Sequence, residues 1–264
     1  MQTPSEQPPV VQPIRLAIKA ASADDVKAAF RMGLADTTKR PLLSFFFGLV
    51  YALFGAILMA GLVVFDQVWI LIAVGVGFPL VAPFLAAGLY EMSRRFKLGE
   101  PFSASDIFLV IFNQQRREFG WMALVVLFVF WMWAYQVRLW LAIFPQNQAT
   151  RSLEEIAAVV VTTPVGALFL LVGSIAGALL ASFLFSLTVI AMPLLMDKDI
   201  DFVTAMITSM KTVRMSPVVM LGWGAVIGAL TLVAIAPAFL GVIFVVPVLS
   251  HASWHLYEQL ISET

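Results

Sequence analysis

Long stretches almost free of charge alternate with short polar ones, and this alternation predicts the architecture. Leu42–Phe65 and Val68–Tyr90 carry no charge and are separated only by Asp66 and Gln67. Phe119–Phe144 carries one charge, Arg138, while Ile156–Met196 and Pro217–Tyr257 carry none. A bilayer crossing takes ~20 apolar residues, because ~30 Å of hydrocarbon is traversed at ~1.5 Å per residue. The first two stretches therefore predict a tight membrane hairpin and the third a single crossing. Ile156–Met196 is too long for one crossing and too short for two with a loop. Thr163-Pro164 divides it, since proline disfavours a helical residue before it. Leu153–Thr163 then reads as a surface helix and Pro164–Met196 as a long, tilted fourth crossing. Pro237 and Gly241 mark a turn within the last stretch, giving crossings over about 217–236 and 239–257. The expectation is an all-α polytopic helix bundle of about six transmembrane helices in three hairpins.

The polar stretches share a plan of their own. Ser22-Ala-Asp-Asp25 and Ser103-Ala-Ser-Asp106 have the form of capping boxes, and Asp199-Ile-Asp201 is an acidic helix start. Each can satisfy free amides of a first helical turn. Apolar residues follow at helical spacing: Val26, Phe30, Leu34; then Ile107, Val110, Ile111; then Phe202, Met206, Met210, Val213. Such stripes predict amphipathic helices over about 23–38, 104–117 and 200–214, lying at the cytoplasmic interface with the stripe towards lipid. Each precedes a hairpin, so the chain divides into a polar tail (1–22), a membrane domain (23–258) and a short tail (259–264). Within the domain the expected repeat units are about 23–90, 103–196 and 199–257. Prolines 4, 8, 9 and 13 among Gln and Ser predict disorder over 1–13. The first 41 residues hold no signal-peptide run, and Leu42 begins an expected uncleaved signal anchor.

Composition and charge sharpen this picture. AVILMFWYC make up 61% of 264 residues and charged residues only 12%, a balance that a soluble domain of this size could not bury. Net charge is zero, so nothing points to nucleic acid. Of the 16 Lys and Arg residues, only Arg138 and Arg151 fall on the far side of a six-crossing layout. The positive-inside rule then makes both termini cytoplasmic, with the 145–163 segment outside. The implied location is the bacterial cytoplasmic (inner) membrane, with membrane lipids as neighbours.

Candidate chemistry is sparse. There is no cysteine, which excludes disulfides and thiolate sites. The two histidines, His251 and His255, share a helix face with Glu258, and this trio is the candidate metal site. Completing it needs a donor from elsewhere, such as Glu91, Asp197, Asp199 or Asp201. The alternative is a pair of histidines hydrogen-bonded within the bundle or to headgroups beside Trp254 and Tyr257, at the level where amphipathic rings sit. Two histidines on one helix face cannot ligate a haem from both sides. The expectation is no cofactor, no bound metal and no catalytic residue. Arg138, among Trp131, Trp133, Tyr135 and Trp140, reads as snorkelling to the outer headgroups. Gly173-x-x-x-Gly177 and Gly224-x-x-x-Gly228 allow close helix approach, chiefly within the bundle.

The runs Phe185-Ser-Leu-Thr-Val-Ile-Ala-Met-Pro-Leu-Leu-Met-Asp-Lys-Asp-Ile-Asp-Phe-Val-Thr-Ala-Met206 and Pro247-Val-Leu-Ser-His-Ala-Ser-Trp-His-Leu-Tyr257 resemble an uncharacterised family of prokaryotic integral membrane proteins. The likeness extends over most of residues 25–260. Some members of that family carry a cytochrome c oxidase subunit label. A catalytic subunit is excluded, since the haem-copper subunit needs more histidines than two and the dicopper subunit needs cysteine. The resemblance thus implies an accessory or assembly role, with a respiratory oxidase among the partners. The functional expectation is a non-enzymatic accessory, assembly or scaffold protein. The alternatives are a small-solute or lipid transporter and, third, a membrane metalloenzyme. No Asp or Glu lies within a crossing, which argues against an ion-coupled carrier.

Overall fold

The computed structural model describes residues 16–61, 69–114, 118–143 and 162–263. The tail over 1–13, the Asp66-Gln67 turn, Arg116-Arg117, Arg151 and almost all of the expected surface helix Leu153–Thr163 lie outside them. The described chain is helical apart from two short strands. In order it forms β1 (Leu16–Ile18), α1 (Ala23–Lys39), α2 (Pro41–Met59), α3 (Trp69–Leu98), α4 (Ala104–Gln114) and α5 (Glu118–Ile143). Then come α6 (Pro164–Thr188), α7 (Ala191–Asp197), α8 (Phe202–Met215), α9 (Pro217–Ile235), α10 (Val242–Leu260) and β2 (Ile261–Glu263).

The helix starts form for the local reasons the sequence offers. Ser22 and Asp25 make a reciprocal capping box on α1. Ser103 and Asp106 exchange the same pair of bonds on α4. The Asp201 side chain accepts from the Thr204 amide to cap α8. Proline occupies the first turn of α2, α6 and α9, where its missing N–H leaves no bond unmade. The chain bends alike at Arg40 (φ −136°, ψ 69°) and Ser216 (φ −141°, ψ 62°), turning α1 into α2 and α8 into α9.

Each capped helix packs along a longer apolar helix or helix pair. Helix α4 packs on α3, α8 on α6 and α7, and α1 on α10, with α10 also against α2 and α3. The largest buried cluster joins Tyr90 of α3, Leu194 of α7, Met220 and Trp223 of α9, and Trp254 and Leu256 of α10. A second cluster packs Phe47 and Leu89 against Phe102, Ile107 and Ile111. Strands β1 and β2 pair antiparallel, Leu16 opposite Glu263, which draws both ends of the described chain to the same end of the molecule. Lys97 reaches Glu258 there at 2.9 Å and Lys198 reaches Glu263 at 2.6 Å.

Three expectations meet the structure in different ways. First, among the described residues four stretches are long and apolar enough to cross a membrane: Pro41–Met59, Glu118–Gln136, Pro164–Asp197 and Pro217–Ile235. The C-terminal half of α3 bears Glu91, Ser93, Arg94, Arg95 and Lys97, and that of α10 bears His251, Ser253, His255, Glu258 and Gln259. Much of α10 is buried inside the bundle.

Second, the apolar stripes do not all face away from the protein. Val26 and Phe30 pack on the large cluster, Phe30 edge-on to Trp223. Ile107 and Ile111 are buried, as is Val213, whereas Leu34 is exposed. The innermost faces of α1 and α8 are small and polar: Ala29, Gly33, Asp36 and Thr37 on one, Ala205, Thr208, Ser209 and Thr212 on the other. Gly33 lets α1 touch the α10 backbone, for a Cβ there would stand 2.5 Å from the Ala252 nitrogen.

Third, the fourth crossing is interrupted at Val189–Ile190, between α6 and α7. Pro193 causes this, since it has no N–H and its ring crowds the carbonyl four residues back. Ser209 of α8 repairs the break: its hydroxyl accepts from the Ile190 amide at 3.2 Å and donates to the Ser186 carbonyl at 2.8 Å.

Candidate functional site

His251 and His255 do lie on one face of α10 and His255 meets Glu258, as the sequence suggested, but Glu91, Asp197 and Asp201 are engaged elsewhere. Glu91 is buried under Arg94 and Arg95, accepting from Arg94 at 2.7 and 3.0 Å. Asp197 accepts from the Tyr257 hydroxyl at 2.7 Å and pairs with Lys198. Asp201 is the α8 cap. The acid that another helix brings to the histidines is Asp36, in the last turn of α1. Its Oδ2 lies 2.6 Å from His255 Nε2 and 2.8 Å from the Ser93 hydroxyl, and its Oδ1 accepts from Lys39 at 2.7 Å. Asp36, Ser93 and His251 are all buried.

The directions of these bonds follow from Asp36 being an acceptor only. Ser93 has a single hydroxyl proton and gives it to Asp36. His251 Nδ1, 2.7 Å from the Ser93 oxygen, must then donate to it. His251 Nε2 is thereby an acceptor, facing the Ser44 hydroxyl of α2 at 3.4 Å. His255 donates on both sides, through Nε2 to Asp36 and through Nδ1 to Glu258 at 3.2 Å. Glu258 also accepts from Lys97 at 2.9 Å. A directed chain thus runs from Ser44 through His251 and Ser93 to Asp36, and meets the His255–Glu258–Lys97 branch there. It joins α1, α2, α3 and α10.

Burial alone would push the Asp36 carboxyl up. The hydrogen bonds from His255, Lys39 and Ser93 outweigh it and hold the group at about 2. Burial likewise raises Glu258, and His255 with Lys97 more than offset that, leaving it below the ordinary carboxylate range.

This geometry bears on metal binding. All four ring nitrogens of the two histidines face polar side chains. The two carboxylates beside His255 sit on opposite edges of the ring, so the imidazole cannot join both of them around one ion. Among the described residues no group of three or more His, Asp or Glu is gathered to hold a metal.

Sequence reading missed Asp36, Ser93 and Ser44. One signal was present: an acid in the last turn of a helix opposes the macrodipole and calls for a partner. Arg138 is exposed on α5. Of the paired glycines, Gly177 sits near Trp133 and Gly224 against the Phe185 ring, both within the bundle, while Gly173 and Gly228 face open space.

Of the concave surfaces elsewhere among the described residues, one of about 330 Å³ between α5 and α6 includes Gln136 and Ser174, and two are apolar. A groove of about 300 Å³ runs between α2, α3, α9 and α10, lined by Tyr51, Phe54, Phe78, Ile235 and Phe239. Another, of about 340 Å³, lies between α3, α5 and α6, against Phe78, Phe130, Trp133 and Leu184. Neither is lined by a charged side chain.

No curated protein and no solved structure matches the chain. Its buried polar network, its apolar grooves and, among the described residues, four stretches apolar enough to cross a bilayer all suit a membrane bundle, and residues 70–197, from α3 to the end of α7, match the model of a family described as a predicted integral membrane protein (DUF2189).

Proposed function

We propose that the protein is a non-enzymatic accessory, assembly or scaffold protein of the bacterial cytoplasmic membrane. In this reading six helices cross the bilayer as three hairpins, α2 with α3, α5 with α6 and α7, and α9 with α10, each preceded by a capped helix at the cytoplasmic surface. The pairing of β1 with β2 supports an even number of crossings. The gathering of Lys39, Arg94, Lys97 and Lys198 at that end supports a cytoplasmic location for it.

The observation that carries the accessory reading is the contrast between centre and surface. The central polar groups are spent on one another, and their chain stops at Ser44, buried in the bundle. A carrier needs a polar path, and the two grooves along the helices are apolar instead. Apolar grooves between helices suit packing against other membrane proteins or lipid tails. The resemblance to proteins labelled as oxidase subunits makes a respiratory oxidase the first partner to test.

Photo-crosslinkers at Phe54 and Phe130, used in native membranes, test this reading. A discrete adduct with another membrane protein is the expected product. Solute or lipid flux in proteoliposomes holding the purified protein alone would instead favour the transporter.

A further inference from the structure

We propose that the cleft between α1, α3 and α10 binds a phosphate group, carried by a phospholipid headgroup or a soluble phosphate. The cleft has a volume of about 360 Å³. Lys39 and Lys97 flank it with side chains 50% and 61% exposed, enough to meet a ligand. An ammonium has three donors. Lys39 spends one on Asp36 and also sits over the Phe96 ring, and Lys97 spends one on Glu258, so both keep donors for a ligand. The carboxylates are already occupied, Asp36 by His255, Ser93 and Lys39, and Glu258 by His255 and Lys97. With His255 donating from both nitrogens, three positive groups stand against two negative ones. The surplus favours an anion, and phosphate oxygens accept several charge-assisted bonds at once.

Two further features fit a phosphate ester. The amide nitrogen of Gln259, which lines the cleft, is a buried donor without a partner. Met32 and Ala35 give the cleft an apolar wall suited to a glycerol backbone. Lys39 is two residues from Pro41, where the apolar helix α2 begins. In a bilayer that is headgroup level. The inference is independent of the accessory role and needs only that α2 crosses the membrane.

The test uses the full chain in detergent, probed by native mass spectrometry and thermal shift. The probes are phosphatidylglycerol, glycerol phosphate and inorganic phosphate. One retained phosphatidylglycerol per chain is expected. Lys97→Gln should weaken it at least about tenfold, Lys97→Arg should restore it, and the paired change Lys27→Gln/Lys211→Gln should leave it unchanged. Lys97 is chosen because its loss leaves the Asp36–His255 contact intact. Equal binding of glycerol phosphate or inorganic phosphate, with the same Lys97 dependence, would assign the cleft to soluble phosphates. No binding of any probe, or equal losses in Lys97→Gln and the distant pair, would overturn the proposal.

Discussion

Asp36 and His255 stand 219 positions apart in the chain, yet their side chains meet at 2.6 Å and join the first helix to the last. Both are largely buried, in the wall of the cleft between α1, α3 and α10. Removing one partner leaves Asp36 with Ser93 and Lys39 or His255 with Glu258, so the loss is that of one charge-assisted bond, typically about 1–3 kcal/mol. Asp36→Asn and His255→Gln should each lower the thermal midpoint in detergent. Together they should cost less than their sum, with coupling of about 0.5–3 kcal/mol. Strictly additive, sub-kilocalorie effects would show that the contact contributes nothing.

The same pair implies a dependence on acid. Asp36 is held at about 2 against an ordinary 3.8. A depressed carboxyl contributes stability above its unfolded value and loses it as pH falls towards the folded one. The thermal midpoint of the native protein should therefore fall between about pH 4 and pH 2. In Asp36→Asn, which cannot titrate there, that part of the fall should be missing. Parallel curves for the two proteins would contradict the assignment.

Gly33 and Gly173 should respond oppositely to the same change. A Cβ at Gly33 meets the Ala252 and Val248 backbone, which cannot swing aside, whereas at Gly173 nothing lies within 4 Å. Gly33→Ala should destabilise the protein and separate α1 from α10, read as faster hydrogen exchange in both. Gly173→Ala should be neutral or stabilise by about 0.5–1 kcal/mol, the helical preference of alanine over glycine.

Topology can be read with fusions. Alkaline phosphatase joined after Gln146 should be active, and joined after Lys198 inactive, because the positive-inside rule assigns the second site to the cytoplasm. The reverse pattern would sink the six-crossing layout.

Metal analysis addresses the histidines. With each ring nitrogen already facing Asp36, Glu258, Ser93 or Ser44, purified protein should hold no stoichiometric zinc or iron. One equivalent that disappears in the His251→Ala/His255→Ala protein would restore the metalloenzyme reading.

What the sequence determined by itself was local. The caps at Ser22, Ser103 and Asp201 and the prolines opening α2, α6 and α9 act within a turn of helix, so residue type and spacing suffice to find them. The uncharged stretches were equally legible, since transfer into lipid depends on composition over about 20 residues. The tertiary structure decided the rest. It brought Asp36 to His255, and it let Ser209 satisfy the backbone opened by Pro193. It also turned the small, polar faces of α1 and α8 inward, where periodicity had suggested the apolar stripes as the faces that matter. The reason is the solvent. In water an apolar stripe marks the inside of a protein, but lipid tails are as apolar as leucine and give no such preference. Close approach at Gly33 and polar partners for Asp36 select the inward face instead, and those partners are contributed by helices far away in the chain.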